Sequence, residues 1–213
     1  MQVLVIGANG QVGKQVVQKL AESNHEVTAM VRVEEQMEAM NQLGADKVVH
    51  ANLEGEFGHA MDNADAVIFA AGSGASTGAD KTIIVDLWGA MKAIDYAKER
   101  GIKRFVQLSG AGTQDPDAQD QIKHYMIAKG VADRYLESTD LDYTIVRPTL
   151  LTNDNGAGQV AVSKTLSGNN VMEIPREDVA ELLVKVLDQP NTYKKAFELT
   201  KGKTSIDDAV RSV

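Results

Sequence analysis

The chain has 213 residues, 43% of them hydrophobic and 24% charged, the balance of one ordinary globular domain and not of a disordered or fibrous chain. It contains no cysteine, which removes disulfide frameworks, thiolate metal sites and cysteine nucleophiles together. Against 30 aspartates and glutamates stand 22 lysines and arginines, a net charge of −8; this argues against nucleic acid as a partner, because gripping phosphates needs a concentrated basic surface.

Met1-Gln2-Val3-Leu4-Val5-Ile6-Gly7 has no charged n-region, no long apolar h-region and no small-residue cleavage site, so a first strand and not a signal peptide is expected. No stretch approaches the roughly 20 consecutive apolar residues of a membrane span. The expectation is a soluble, cytoplasmic protein without a membrane partner.

Short apolar runs alternate with longer amphipathic stretches. Strands are predicted at 3–6, 27–31, 47–49, 66–69, 105–108, 143–146 and 196–199, and helices at 11–23, 34–43, 81–100, about 117–138, 176–187 and 205–210, with a short piece at 57–61. Strand runs without polar alternation suit strands buried on both faces, as in parallel sheets. The β-α-β-α order then predicts an α/β fold of the Rossmann type, a doubly wound parallel sheet. Gly44 and Gly101 supply helix stops, and no repeat or Pro/Ser-rich linker divides 1–213 into two domains. One region breaks the alternation: 149–175 is rich in Gly, Asn and Ser, with strand-like pieces only at 159–162 and 171–174. It is expected to form a small lid over the ligand crevice.

Gly7-Ala8-Asn9-Gly10-Gln11-Val12-Gly13 follows the first strand and opens the first helix. Dinucleotide phosphates need this arrangement, because glycines admit the backbone closely and the helix start offers free N–H groups and a positive dipole end. The second strand ends at Val31 and is followed by Arg32. A positive charge there suits the 2′-phosphate of NADP, where NAD sites carry an acid on the ribose; Glu34 or Glu35 keeps NAD open. Tyr125 and Lys129 stand four apart on a predicted helix and share a face, where an ammonium favours the phenolate and makes tyrosine a usable acid/base. Ser109 closes the fifth strand at the edge where ligands sit in this fold.

Gly7-x-x-Gly10-x-x-Gly13, Arg32, Ala70-Ala71-Gly72, Ser109, Tyr125-x-x-x-Lys129 and Arg147-Pro148 together resemble the short-chain dehydrogenase/reductase superfamily. More narrowly, 141–148 and 174–180 are similar to stretches of its atypical branch, the NAD(P)H-binding, NmrA-like proteins, which include flavin and biliverdin reductases. The resemblance implies that Gly7, Asn9, Gly10, Gln11, Val12 and Gly13 cradle a pyrophosphate and Arg32 a 2′-phosphate. It implies that Asn52 and Leu53 flank the adenine and that Ala70, Ala71 and Gly72 pack along its ribose. Lys129 would bind the nicotinamide ribose, and Pro148 and Thr149 would meet the carboxamide. Tyr125 would be the general acid/base, with Ser109 its partner, in hydride transfer to a small carbonyl, quinone or flavin-like compound.

The pattern also departs from that of active members. Gly110-Ala111-Gly112 follows Ser109 where extended members run serines or threonines, and Asp86 stands where catalytic members often keep an Asn. The 65 residues after Pro148 (149–213) leave no room for a sugar-nucleotide domain, which counts against epimerase or dehydratase activity. A non-catalytic NADP(H)-binding regulator or redox sensor, and an assembly subunit in which the nucleotide only stabilises the fold, stay open. His25, His50 and His59 are scattered without carboxylates at ligand spacing, so no metal is expected. Trp88 and Met91 suit packing or a subunit contact, leaving a homo-oligomer open. Arg176 and Asp178 read as a helix start.

Overall fold

The computed structural model describes residues 1–74, 77–118, 120–166 and 172–213. Its framework is a nine-stranded sheet in which the parallel strands β1 (Gln2–Ile6), β2 (Glu26–Val31), β3 (Lys47–His50), β4 (Ala66–Phe69), β5 (Arg104–Leu108) and β6 (Asp142–Pro148) lie in the order 3-2-1-4-5-6. That is the order of the dinucleotide-binding Rossmann sheet. Successive strands are laid outward from β1 on one side and from β4 on the other, so the carboxyl ends of these two strands form the switch point at which this fold takes its ligands.

Alternating side chains explain why the strands read as unbroken apolar runs. Val3 and Val5 of β1 enter one core with Val16, Val17 and Leu20, whereas Leu4 and Ile6 enter the other with Phe69, Ile94 and Phe105. All of these are fully buried, and each large apolar side chain so buried contributes about 1.5–3 kcal/mol. On the first face lies α1 (Gln11–Ala21), its Val12, Val16, Val17 and Leu20 turned inward. Next along the chain come the short α2 (Met37–Gln42) and α3 (Ala79–Lys81). A π-helical stretch (Thr82–Gly89) continues α3 into α4 (Ala90–Glu99), so the helix predicted at 81–100 is real but widened over its first half. Such π turns concentrate at functional sites. Beside them, on the same face, runs α5 (Lys123–Glu137), shorter than predicted because Pro116–Ala118 and Asp120–Ile122 form separate 3₁₀ turns.

The stretch 149–175 carries more regular structure than its composition predicts. β7 (Leu150–Thr152) pairs with β9 (Glu173–Pro175), whereas β8 (Gln159–Ser163) joins the main sheet, antiparallel to β10 (Lys195–Lys201). The predicted piece at 159–162 is therefore an edge-side strand of the sheet, and Val171 of the other predicted piece lies outside the described residues. After β9 comes α6 (Arg176–Lys185), packed beside α1 with Lys19 3.5 Å from Glu181. β11 (Thr204–Ser205) and α7 (Ile206–Arg211) end the chain, the Ser205 hydroxyl accepting the Asp208 N–H. Among the described residues no helix is long and apolar enough to cross a membrane.

Candidate dinucleotide site and the Tyr125–Lys129 helix

The turn from β1 into α1 is built by its glycines. Gly7 has φ +87°, and a Cβ there would stand 2.6 Å from the Ala71 backbone, so β1 and β4 close together only over a glycine. A Cβ on Gly13 would overlap the Gly7 carbonyl oxygen, which itself accepts from the Gly10 N–H at 2.9 Å. The helix therefore starts pressed against the end of the strand. Gly10 caps α1 without a side-chain hydrogen bond, and its first turn holds no acid. Free N–H groups and a positive dipole end face the crevice, which suits a diphosphate. Asn9 is half-buried and Gln11 exposed, whereas Val12 is buried and offers only its backbone.

Arg32 directly follows β2, is exposed and makes no ion pair among the described residues. Asn52 is exposed and folds back to accept the Glu54 N–H at 3.0 Å. Leu53 points into the core against Gly89, and its carbonyl accepts from Lys92 Nζ at 2.6 Å. Beyond β4, Ala70, Ala71 and Gly72 lie along the crevice, tied down when the Ala70 N–H donates to the Ile6 carbonyl at 2.9 Å. The Ser73 N–H donates to Asp86 Oδ2 at 2.9 Å.

Tyr125 and Lys129 share one face of α5, with Lys129 Nζ 5.8 Å from the phenol ring centroid. The half-buried ring passes Gly110, where a Cβ would be 4.0 Å from Cε1. Lys129 is buried, and its ammonium donates to the carbonyls of Ala71 at 3.2 Å and Leu108 at 3.3 Å. Asp86 Oδ1 stands 3.3 Å away. Burial alone lowers the pKa of such an amine, but the neighbouring Tyr125, Asp86 and Asp133 outweigh it and hold Lys129 above its ordinary value. The departure noted at Asp86 thus has a structural counterpart: the acid pairs with the lysine.

Ser109, expected as the partner of Tyr125, donates its hydroxyl to Asp133 Oδ2 at 2.9 Å. Having given its proton to a carboxylate, it acts toward any other group as an acceptor. Asp133 is buried and also receives Gln107 Nε2 at 2.7 Å, the Thr113 hydroxyl at 3.3 Å and Arg147 Nε at 2.8 Å. Pro148 accepts the Ala111 N–H at 2.9 Å, and the half-buried Thr149 donates its hydroxyl to Thr200 at 3.0 Å. The crevice thus brings the glycine turn, the Ala70–Gly72 segment and the Lys129 ammonium together, with Lys129 touching Ala71 directly.

Two acids were absent from the sequence expectations, and a third has a role beyond the helix start read for it. Asp133 lies four residues beyond Lys129 on the same helix face, a spacing that could have flagged it. Glu198 interrupts an apolar strand; buried, it accepts the Gly112 N–H at 2.9 Å and the Leu166 N–H at 2.7 Å. Asp178, read as a helix-start residue, accepts from Ala157 at 3.1 Å and Gly158 at 2.8 Å and so anchors the stretch before β8.

A 3-2-1-4-5-6 sheet, a glycine-cornered turn onto an uncapped helix and a crevice at the switch point define a Rossmann-fold nucleotide-binding protein. The chain belongs to the NAD(P)H-binding family, whose model matches residues 7–190. Its fold aligns with a solved structure of a candidate NAD-dependent epimerase/dehydratase from Bacillus halodurans, TM-score 0.97 and 48% identity over all of both chains. The Lactococcus lactis oxidoreductase ylbE aligns with TM-score 0.88 and 30% identity, over 100% of this chain and 96% of that one. A Bacillus subtilis protein bearing the name uncharacterized sugar epimerase YhfK is 44% identical over the full length of both.

Proposed function

We propose that the protein is an NADP(H)-dependent reductase of small carbonyl, quinone or flavin-like compounds. The observation that carries this reading is the adjacency of Lys129 to Ala71, which joins the Tyr125 helix to the nucleotide crevice. The turn suits the nucleotide because Gly7 and Gly13, lacking Cβ atoms, let α1 start tightly against the ends of β1 and β4, so that its uncapped first turn offers N–H groups to a phosphate. Gly7, Asn9, Gly10, Gln11, Val12 and Gly13 would hold the pyrophosphate, Arg32, without an ion pair among the described residues, the 2′-phosphate, Asn52 and Leu53 the adenine, and Ala70, Ala71 and Gly72 its ribose. Lys129 holds the nicotinamide ribose, and Pro148 with Thr149 the carboxamide. When bound, the nicotinamide supplies hydride. Tyr125 supplies the matching proton to a substrate oxygen from its phenol, and Lys129 stabilises the phenolate left behind. Ser109, its own proton committed to Asp133, accepts from the phenol or from a product hydroxyl.

A second reading, a non-catalytic NADP(H)-binding regulator, draws on the same ammonium: it already donates to the carbonyls of Ala71 and Leu108 and lies 3.3 Å from Asp86 Oδ1, so a ribose hydroxyl has to compete with these partners. One assay separates the two. NADPH oxidation is followed against a panel of carbonyls, quinones and flavins, and sugar nucleotides are assayed separately for isomerised or dehydrated product, because those reactions consume no NADPH and two relatives bear epimerase names. Turnover that falls at least about 100-fold in Tyr125→Phe supports acid/base reduction. Turnover of flavins unaffected by that substitution supports hydride transfer without the phenol. Nucleotide binding with no turnover on any substrate favours the regulator.

A further inference from the structure

Ser109 and Ala111 carry the line of β5 onward along β6: their N–H groups donate to the carbonyls of Val146 at 2.8 Å and Pro148 at 2.9 Å. In such an extended run successive peptide groups point to opposite edges, so the N–H of Gly110, between them, points away from β6. The Leu108 carbonyl lies on that same edge, where Lys129 Nζ donates to it at 3.3 Å. β4 no longer fills this edge, because its pairing with β5 ends at Phe69 opposite Gln107; the Ala71 carbonyl beyond it is bridged to Leu108 only through Lys129. Gly110 is buried, and its N–H has no hydrogen-bond partner among the described residues. Roughly nine in ten or more buried backbone N–H groups are paired, so an orphan at the rim of the crevice marks a place where a ligand atom binds.

The ring of Tyr125 passes this glycine, its Cε1 4.0 Å from where a Cβ would stand. The Ser109 hydroxyl gives its one proton to Asp133 and has none left for a substrate oxygen. We propose that the Gly110 N–H takes that part and is the second hydrogen-bond donor, beside the Tyr125 phenol, to the substrate oxygen. As hydride reaches the substrate carbon, the electron pair of its C=O bond moves onto oxygen. The phenol proton transfers to that oxygen, and the Gly110 N–H hydrogen-bonds to it while keeping its own proton. This rests on the reductase reading above and says what the Gly110-Ala111-Gly112 run supplies in place of a hydroxyl.

The test uses the full chain and three oxidised probes: menadione, FMN and diacetyl. NADPH oxidation first shows which probe the wild type reduces fastest. Amide NMR spectra of isotope-labelled wild type are then recorded with NADP⁺ alone and with NADP⁺ plus that probe at saturation, a mixture in which nothing can react. The Gly110 amide proton is expected to move downfield when the probe is added, and further than those of Ser109 and Ala111, which stay bonded to β6. A Gly110 amide that moves no more than these two overturns the proposal, and so does one that reaches its final position with NADP⁺ alone, which gives the N–H to the nucleotide. Gly110→Pro, which removes the N–H after a residue already extended, is compared with Gly110→Ala, which keeps it. The proline variant is expected to have a kcat at least about 100-fold below that of the alanine variant, with KM changed far less. Equal kcat in the two, or a loss carried by KM alone, overturns the proposal; should the proline variant not fold, the wild-type spectra decide alone. A wild type that reduces none of the probes removes the reductase reading and this proposal together, whereas reduction with an unmoved Gly110 amide removes this proposal only.

Discussion

The Lys129 ammonium and the Asp86 carboxylate stand 3.3 Å apart, one from α5 and the other from the π-helical stretch, and both are closed to solvent. Removing one partner of a buried pair leaves the other charged and unmatched, which costs about 3–5 kcal/mol. Asp86→Ala should therefore shift the urea midpoint strongly, and Asp86→Asn, which keeps an acceptor for the Ser73 N–H, should shift it less. The pH dependence has a definite sign. Lys129 is held above its ordinary value, so its contribution is fully present below the unfolded lysine value of about 10.4 and is lost only as pH rises through the higher folded one. Unfolding curves should show no loss from this group between about pH 7 and 10, and a decline beyond.

Asp133 makes the second prediction. Its carboxylate joins β5, the loop after it and β6 to α5 through Gln107, Ser109, Thr113 and Arg147. Asp133→Ala strands the buried guanidinium of Arg147, whose remaining ion-pair partner is Glu137 at 3.3 Å. The expected loss is again about 3–5 kcal/mol. Arg147→Met together with Asp133→Leu, which removes both charges, should cost less than the two single losses added, by about 0.5–3 kcal/mol. Urea unfolding of wild type, Asp133→Leu, Arg147→Met and the double variant measures this, and strict additivity would refute the coupling.

Much of this architecture was legible because its causes are local. Unbroken apolar runs such as Ala66–Phe69 report a strand buried on both faces, and glycines at Gly44 and Gly101 occupy positive φ of 91° and 71° where helices stop. The glycine turn and the Tyr125–Lys129 spacing were equally visible, since each lies within a few residues of chain. What escaped depends on distant partners. Nothing near Asp178 in sequence announces a loop some 20 residues back, and nothing near Ser109 says that its hydroxyl goes to Asp133 on another element. The π-helical widening at Thr82–Gly89 escaped for a related reason: its hydrophobic pattern resembles that of an ordinary helix, and the extra residue per turn shows only in the hydrogen bonds.

Gly13 tests the nucleotide turn. Its missing Cβ is what lets α1 start against the Gly7 carbonyl, so Gly13→Ala has to push backbone, not a side chain. The expected outcome is a melting temperature lower by several degrees, from about 1–3 kcal/mol of strain, and NADPH binding weakened at least about tenfold. Gly55→Ala serves as control, because a Cβ there meets its nearest neighbour, the Asn52 carbonyl oxygen, at an ordinary 3.8 Å.

Glu198 and Asp178 form two independent fasteners: the first joins the loop after β5 to Leu166, the second holds the stretch before β8. Glu198 holds the N–H groups of Gly112 and Leu166, and Asp178 those of Ala157 and Gly158. Glutamine or asparagine retains one oxygen acceptor and turns a donor toward the other N–H, leaving it unsatisfied at about 1–3 kcal/mol. In Glu198→Gln, amide hydrogen exchange should quicken at least about tenfold at Gly112 and Leu166 together and stay unchanged at Gly158. Asp178→Asn should do the converse. Because the Gly112 loop also packs beside the Ser109–Tyr125 region, the first substitution and not the second should raise KM for a substrate reduced by this site. Equal acceleration at all four amides in either variant would mean that the loop after β5 and the chain around β8 open as one unit, with the two acids acting in series.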